Sequence, residues 1–145
     1  MKADGWSETY RAVVAPSDLD HLGHMNVQHY MAALSDGAFS IMTEIGLGVR
    51  TIETERVGMA AVRMEIDFLR EIHVGAVVVM ESAVAWAEPR KVMFMHRLRD
   101  LETGEMCMRC KGLGVVLDLD ARRARELPPQ VLERARARAV GEDWD

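Results

Sequence analysis

Cysteine is nearly absent from this 145-residue chain: only Cys107 and Cys110 occur, too few for the disulfide framework of a small secreted domain. No apolar run approaches the ~18 residues that a membrane-crossing helix needs. The start, Met1-Lys2-Ala3-Asp4-Gly5-Trp6, has no apolar stretch behind its lysine. No signal peptide or membrane span is expected, and a cytoplasmic location is. Positive charge is also in deficit. Lys and Arg total 18 against 23 Asp and Glu, a formal net charge of −5 that argues against nucleic acid or an anionic membrane as partner. Among motifs, no G-x-S-x-G elbow supports a serine-triad hydrolase, and neither G-x-G-x-x-G nor a P-loop supports a nucleotide site.

Apolar residues are not lacking. They make up 49% of the chain against 28% charged, enough for one packed core, and the length fits one domain over residues 1–145. Eleven methionines are a large share, and Met fills irregular gaps in cores, interfaces and adaptable pockets.

The periodicity changes several times. Residues 7–14 read as a strand ended by Pro16, which cannot donate to a ladder. Val27, Met31, Leu34, Ala38, Ile41 and Ile45, widened by Tyr30 and Met42, form one stripe of a helix of about five turns. Asn26 is placed to cap its start and Gly46 or Gly48 to stop it. Gly37 inside it points to close packing on a sheet or a neighbouring chain. Val62, Met64, Ile66 and Phe68 alternate with polar residues as in a half-buried strand. Ala76 to Glu88 is apolar on both faces and predicts a central strand, broken by Pro89-Arg90-Lys91. Val92 to Asp100, a turn through Gly104, and Met106 to Asp118 make a hairpin. Pro128-Pro129 opens a polar, Arg-rich helix reaching about Val140. A strand, a long helix, then a four-strand meander is an α+β order, best packed with a curved antiparallel sheet around the one long helix.

The segment Ser17-Asp18-Leu19-Asp20-His21-Leu22-Gly23-His24-Met25-Asn26 concentrates the chemistry. It sets carboxylates and imidazoles immediately before a helix start, where unpaired N–H groups carry partial positive charge. Such a start can hold a developing oxyanion, and a carboxylate beside it can act as base or nucleophile. A plain capping loop is the alternative reading. A metal site built from Asp18, Asp20, His21 and His24 is a third, but their spacing matches no zinc pattern, so no metal is expected. Cys107-x-x-Cys110 falls in a strand, where residues three apart point to opposite faces, so neither a disulfide nor a metal pair is expected. His96 reads as a satisfied core histidine. Arg90 and Lys91 read as a solvated turn, and the arginines from Arg122 to Arg138 as a solvated helix with its approach.

Asp20-His21-Leu22-Gly23-His24-Met25-Asn26-Val27, with Tyr30 one turn on, resembles the D-x-x-G-H-x-N signature of the 4-hydroxybenzoyl-CoA thioesterase-like hotdog proteins. The likeness covers about residues 7–120, and 128–140 form a helical tail. It implies a hotdog fold, acyl-CoA thioester hydrolysis without cofactor or metal, and a homodimer or homotetramer with sites at subunit interfaces. By position it implies Asp20 as catalytic carboxylate and the Val27 amide as donor to the thioester carbonyl. Asn26 matches the motif asparagine, Tyr30 would line the acyl pocket, and Arg90 and Lys91 would face CoA phosphates. Val27 stands where signature members usually carry a second Asn, but the contact it supplies is a main-chain one. Asp36, nearest to the helix Glu of another hotdog subgroup, lies off the apolar stripe and is given no role. Two alternatives remain. One is an enoyl-thioester hydratase, whose D-x-N-P-x-H context is missing here. The other is a module that binds acyl-CoA without cleaving it.

Overall fold

The computed structural model describes residues 4–144. Strand β1 (Ser7–Val13) ends ahead of Pro16, where a 3-10 turn (Pro16–Asp18) starts the loop into helix α1 (Val27–Glu44). Asn26 caps α1, its side-chain oxygen accepting from the Gln28 N–H at 3.0 Å. Gly46, at φ +97°, turns the chain out of the helix after Ile45. A short helix α2 (Val49–Glu55) follows, which the periodicity did not reveal. Then come β2 (Val57–Phe68), β3 (Val77–Ala87), β4 (Lys91–Asp100), β5 (Met106–Asp118), the two-residue β6 (Arg123–Ala124) and α3 (Pro129–Ala137). The antiparallel sheet runs β1-β3-β4-β5-β2, with β6 beside β5. Helix α1 lies on its inner face, the hotdog arrangement.

The helix packs on β1, β3 and β4 and leaves the β2 side of the sheet open. Its buried face is therefore Tyr30, Ala33, Leu34, Gly37, Ile41 and Met42. Val27 and Met31, placed on the buried stripe by periodicity, are 55% and 40% exposed because the stripe has rotated toward β1. At Gly37 the helix lies close against the sheet. A Cβ there would sit 2.9 Å from the Met80 sulfur and 3.2 Å from the hydroxyls of Ser82 and Thr9.

Strand β3 is buried along almost its whole length, as its two-sided apolarity requires. Its outer face is covered by segments near the two ends of the chain, where Trp6, Met95, Ala83 and Ala85 cluster with Trp144, while Val131 and Ala135 of α3 pack with Val84 and Ile41 on the helix side. The tail is tied down by main-chain bonds, Val140 N–H to Val84 O and Gly141 N–H to Ala85 O, both at 2.9 Å. The Arg97 guanidinium lies 3.8 Å over the Trp6 ring and bonds Glu81 at 2.9 Å. The late arginines are not merely solvated, contrary to the expectation from composition. Arg134 donates to Glu44 O, Arg136 to Ala87 O, and Arg138 to Gly5 O and the Ser7 hydroxyl, clasping the tail to the sheet.

β2 differs from the half-buried strand that alternation predicts. It is the sheet's outer strand beyond β5, and most of it is exposed. A bulge between Ala61 and Arg63 absorbs Val62, so Met59 and Ala61 before it, and Met64 after it, share the helix-side cleft. Cys107 and Cys110 are both buried and both free.

Candidate active site

The loop from Val14 to Asn26 is built to hold one carboxylate. Asp18 accepts from the Ala15 N–H at 2.8 Å, and its carbonyl accepts from the Asn26 N–H at 2.9 Å. Met25 N–H bonds Ile72 O at 2.8 Å, fastening the loop to the β2–β3 connection. Within it Asp20 and His24 close a tight turn, Asp20 N–H to His24 O at 3.1 Å and Gly23 N–H to Asp20 O at 3.0 Å. Gly23 has φ +86°, a left-handed geometry that disfavours a side chain.

Asp20 Oδ1 accepts from the Leu22 N–H at 2.8 Å, and Asn26 Nδ2 stands 3.4 Å from Oδ2. The Leu22 amide holds the Asp20 carboxyl below its ordinary range. Partial desolvation opposes this, while the Asn26 amide and the His24 and His21 imidazoles add to the lowering. Asn26 thus acts twice: its oxygen caps α1, and its amide nitrogen faces the carboxylate. Capping by Asn26 takes the Gln28 amide, and the Asn26 carbonyl takes that of His29 at 3.0 Å. The Val27 N–H is left without a hydrogen bond among the described residues. It points out of the positive end of an 18-residue helix.

Asp20, His24, Asn26, Val27 and Tyr30 line one cleft of about 350 Å³ together with Phe68, Leu69, Arg70 and Glu71. The Tyr30 ring packs edge-on against Phe68, centroids 5.0 Å apart at 79°. Burial pushes the Tyr30 phenol up to about 12, so its O–H stays protonated at neutral pH. His24 Nε2 lies 3.9 Å from Glu71, which also faces His73 at 3.6 Å. Asp18 pairs with His29 at 3.4 Å, and among the described residues there is no group of three His, Cys, Asp or Glu that could hold a metal ion.

Arg90 and Lys91 are the exceptions among the residues singled out. Arg90 sits in the β3–β4 turn and Lys91 opens β4, at the end of the sheet away from Asp20. The ten residues of β4 separate the two ends by about 30 Å. Arg90 lines a different cleft, with Arg123, Arg125 and Glu55, and Lys91 faces Glu88 at 3.8 Å and the Trp86 ring. Conversely, Phe68, Arg70 and Glu71 went unnoticed. They reach the cleft only because the chain leaving β2 returns beside Met25, and no local motif marks that return.

The chain belongs to the thioesterase-like superfamily, whose profile matches residues 14–135. Among curated protein sequences none matches it. Solved structures do resemble it in fold. A hypothetical protein of Staphylococcus aureus solved in complex with CoA is 15% identical, with a TM-score of 0.85 over 100% of this chain and 94% of that one. A 1,4-dihydroxy-2-naphthoyl-CoA thioesterase from Synechocystis is 17% identical, with a TM-score of 0.77 over 90% and 96%. A DHNA-CoA thioesterase from S. aureus is 11% identical, with a TM-score of 0.73 over 84% and 80%. No helix among the described residues is long and apolar enough to cross a membrane.

Proposed function

We propose that this chain, a thioester hydrolase by family, cleaves acyl-CoA to a free acid and CoA in the Asp20 cleft. The observation that carries the reading is the unpaired Val27 N–H at the start of α1, in the same cleft as an ionised carboxylate held by Leu22 and Asn26. The carbonyl oxygen of the thioester docks on the Val27 amide, where the negative charge of the tetrahedral stage is stabilised. One such donor is worth about 3–4 kcal/mol. Asp20 either takes a proton from a water that attacks the carbonyl carbon, or attacks it directly to give a mixed anhydride that water then opens. In both routes the C–S bond breaks and CoA leaves as the thiol. Asn26 is a positioning residue, because it orients Asp20 and caps the helix that supplies the amide.

Arg90, Lys91 and the neighbouring Arg123 and Arg125 gather at one end of the sheet, interleaved with Glu55, Glu88, Asp118 and Glu126. They serve the CoA phosphates only if a second protomer brings that end to the Asp20 cleft, in a homodimer or homotetramer. The open β2 edge leaves room for such an association. The test is thiol release from a panel of acyl-CoA esters. Release of free CoA at rates well above buffer is the expected result. Tight binding of the esters without thiol release would replace the hydrolase with a binding module.

A further inference from the structure

A second cleft of about 300 Å³ opens between α1 and the sheet, on the side that α1 leaves uncovered. Met31, Phe39, Met59, Met64 and Phe94 give it an apolar wall. Met31 in its lining is the next helical turn on from Val27 of the Asp20 cleft. Leu34, which also lines it, is seven residues along α1 from Val27, about 10 Å of helix. Gly112 belongs to the lining as well, and a Cβ placed on it would meet nothing within 4 Å, so the glycine leaves the cleft roomy.

One polar side chain in this wall is almost wholly buried. His96 is 2% exposed. Its Nδ1 lies 2.6 Å from the Ser82 hydroxyl, which lies 2.7 Å from the Thr9 hydroxyl. That chain fixes the ring and commits one nitrogen. Nε2 makes no hydrogen bond among the described residues, nor is it sealed from the cleft as an unpartnered buried atom. A core histidine needs no free nitrogen facing an apolar hollow, and an unmet hydrogen-bonding group there is costly until a ligand meets it.

Building on the thioesterase reading, we propose that His96 is a specificity-determining residue, and that the acyl groups taken are apolar chains bearing a hydroxyl that bonds Nε2. The ligand chemistry follows from the relay. If Thr9 and Ser82 donate toward Nδ1, Nε2 is an N–H donor; if the relay runs the other way, Nε2 is an acceptor. A hydroxyl satisfies either state, whereas a ketone satisfies only one. Burial pushes the imidazole down to about 4, so the group offered at neutral pH is uncharged and suits a neutral partner. The methionines adapt to the rest of the acyl group.

The test compares decanoyl-CoA with its mid-chain and ω-hydroxy derivatives, and with the corresponding ketones, using thiol release. The wild type is expected to favour a hydroxylated ester over decanoyl-CoA by about tenfold or more in kcat/KM, the worth of one hydrogen bond. In His96→Leu that ratio is expected to fall to about one. An equal rate for both esters in the wild type, a preference for the ketones, or a hydroxyl preference that survives in His96→Leu would each overturn the proposal. Should His96→Leu fail to fold, nitrogen NMR of the wild-type imidazole decides: ω-hydroxydecanoic acid shifts the Nε2 signal and decanoic acid does not, and identical responses refute the assignment. Gly112→Val, a substitution a strand accepts, is expected to abolish binding of both acids by filling the cleft. Retained binding would place the acyl group elsewhere. If no ester of any kind is cleaved, the hydrolase reading fails, while calorimetry with the two acids still decides the hydroxyl preference.

Discussion

Asp20→Asn is expected to lower kcat/KM for thiol release about a thousandfold, with the fold intact. The substitution keeps an oxygen where Oδ1 accepts from the Leu22 N–H, so the turn from Asp20 to His24 has no reason to open. It removes the negative charge and the second oxygen that faces Asn26, and with them the base or nucleophile. Because the loss falls on the chemical step, kcat drops while KM for the ester changes little. The pH dependence separates this role from a structural one. The Leu22 amide keeps the Asp20 carboxyl below its ordinary value of 3.8, so the carboxylate is ionised throughout the neutral range. The wild-type rate therefore carries no Asp20 limb between pH 5 and 8, and an acid limb from this group lies below the usual aspartate value. Circular dichroism and the wild-type oligomeric state, retained in the variant, exclude unfolding as the cause. Full activity in a folded Asp20→Asn would remove this residue from the mechanism.

Acid is expected to destabilise the fold through His96. Burial lowers the folded imidazole from 6.5 to about 4. Above pH 6.5 folded and unfolded chains are both neutral at this group and its contribution is complete. As the pH falls from 6.5 to 4 the unfolded chain takes up a proton that the folded chain refuses, and stability is lost. Below about 4 both are protonated and the loss stops growing. The size is on the order of 3 kcal/mol. Urea unfolding of the wild type and of His96→Phe, each at pH 7 and pH 4.5, isolates the contribution. The wild type loses about 2–3 kcal/mol more than the variant over that interval. Equal losses would mean that the buried imidazole is hydrated or already charged.

What was legible in the sequence was local. Asp20, Asn26 and Val27 lie within eight consecutive residues, and a turn that needs Gly23 followed by a helix that needs a cap places them together whatever the rest of the chain does. The alternation through Met64, Ile66 and Phe68 and the two-sided apolarity of β3 likewise reported true strands. The failures are properties of the assembled sheet. Nothing near Val62 announces a bulge, and nothing in β2 says that it ends the sheet, so its burial was overestimated. Helix α2 is seven residues long with no buried residue, too short and too polar to show a stripe. Val27 and Met31 fit the helical period, but the period does not say toward which strands the helix leans. The distance of Arg90 and Lys91 from Asp20, along the length of β4, likewise follows only from strand direction and length. Arg70 and Glu71 enter the cleft by closure of the β2–β3 connection over Met25, a contact between segments more than forty residues apart.

The account stands most directly on where a thioester binds. A crystal structure of Asp20→Asn holding an uncleaved acyl-CoA shows it: the carbonyl oxygen is expected about 3 Å from the Val27 nitrogen, with the residue 20 side chain facing the carbonyl carbon. A carbonyl bound beyond hydrogen-bonding reach of that amide would contradict the account.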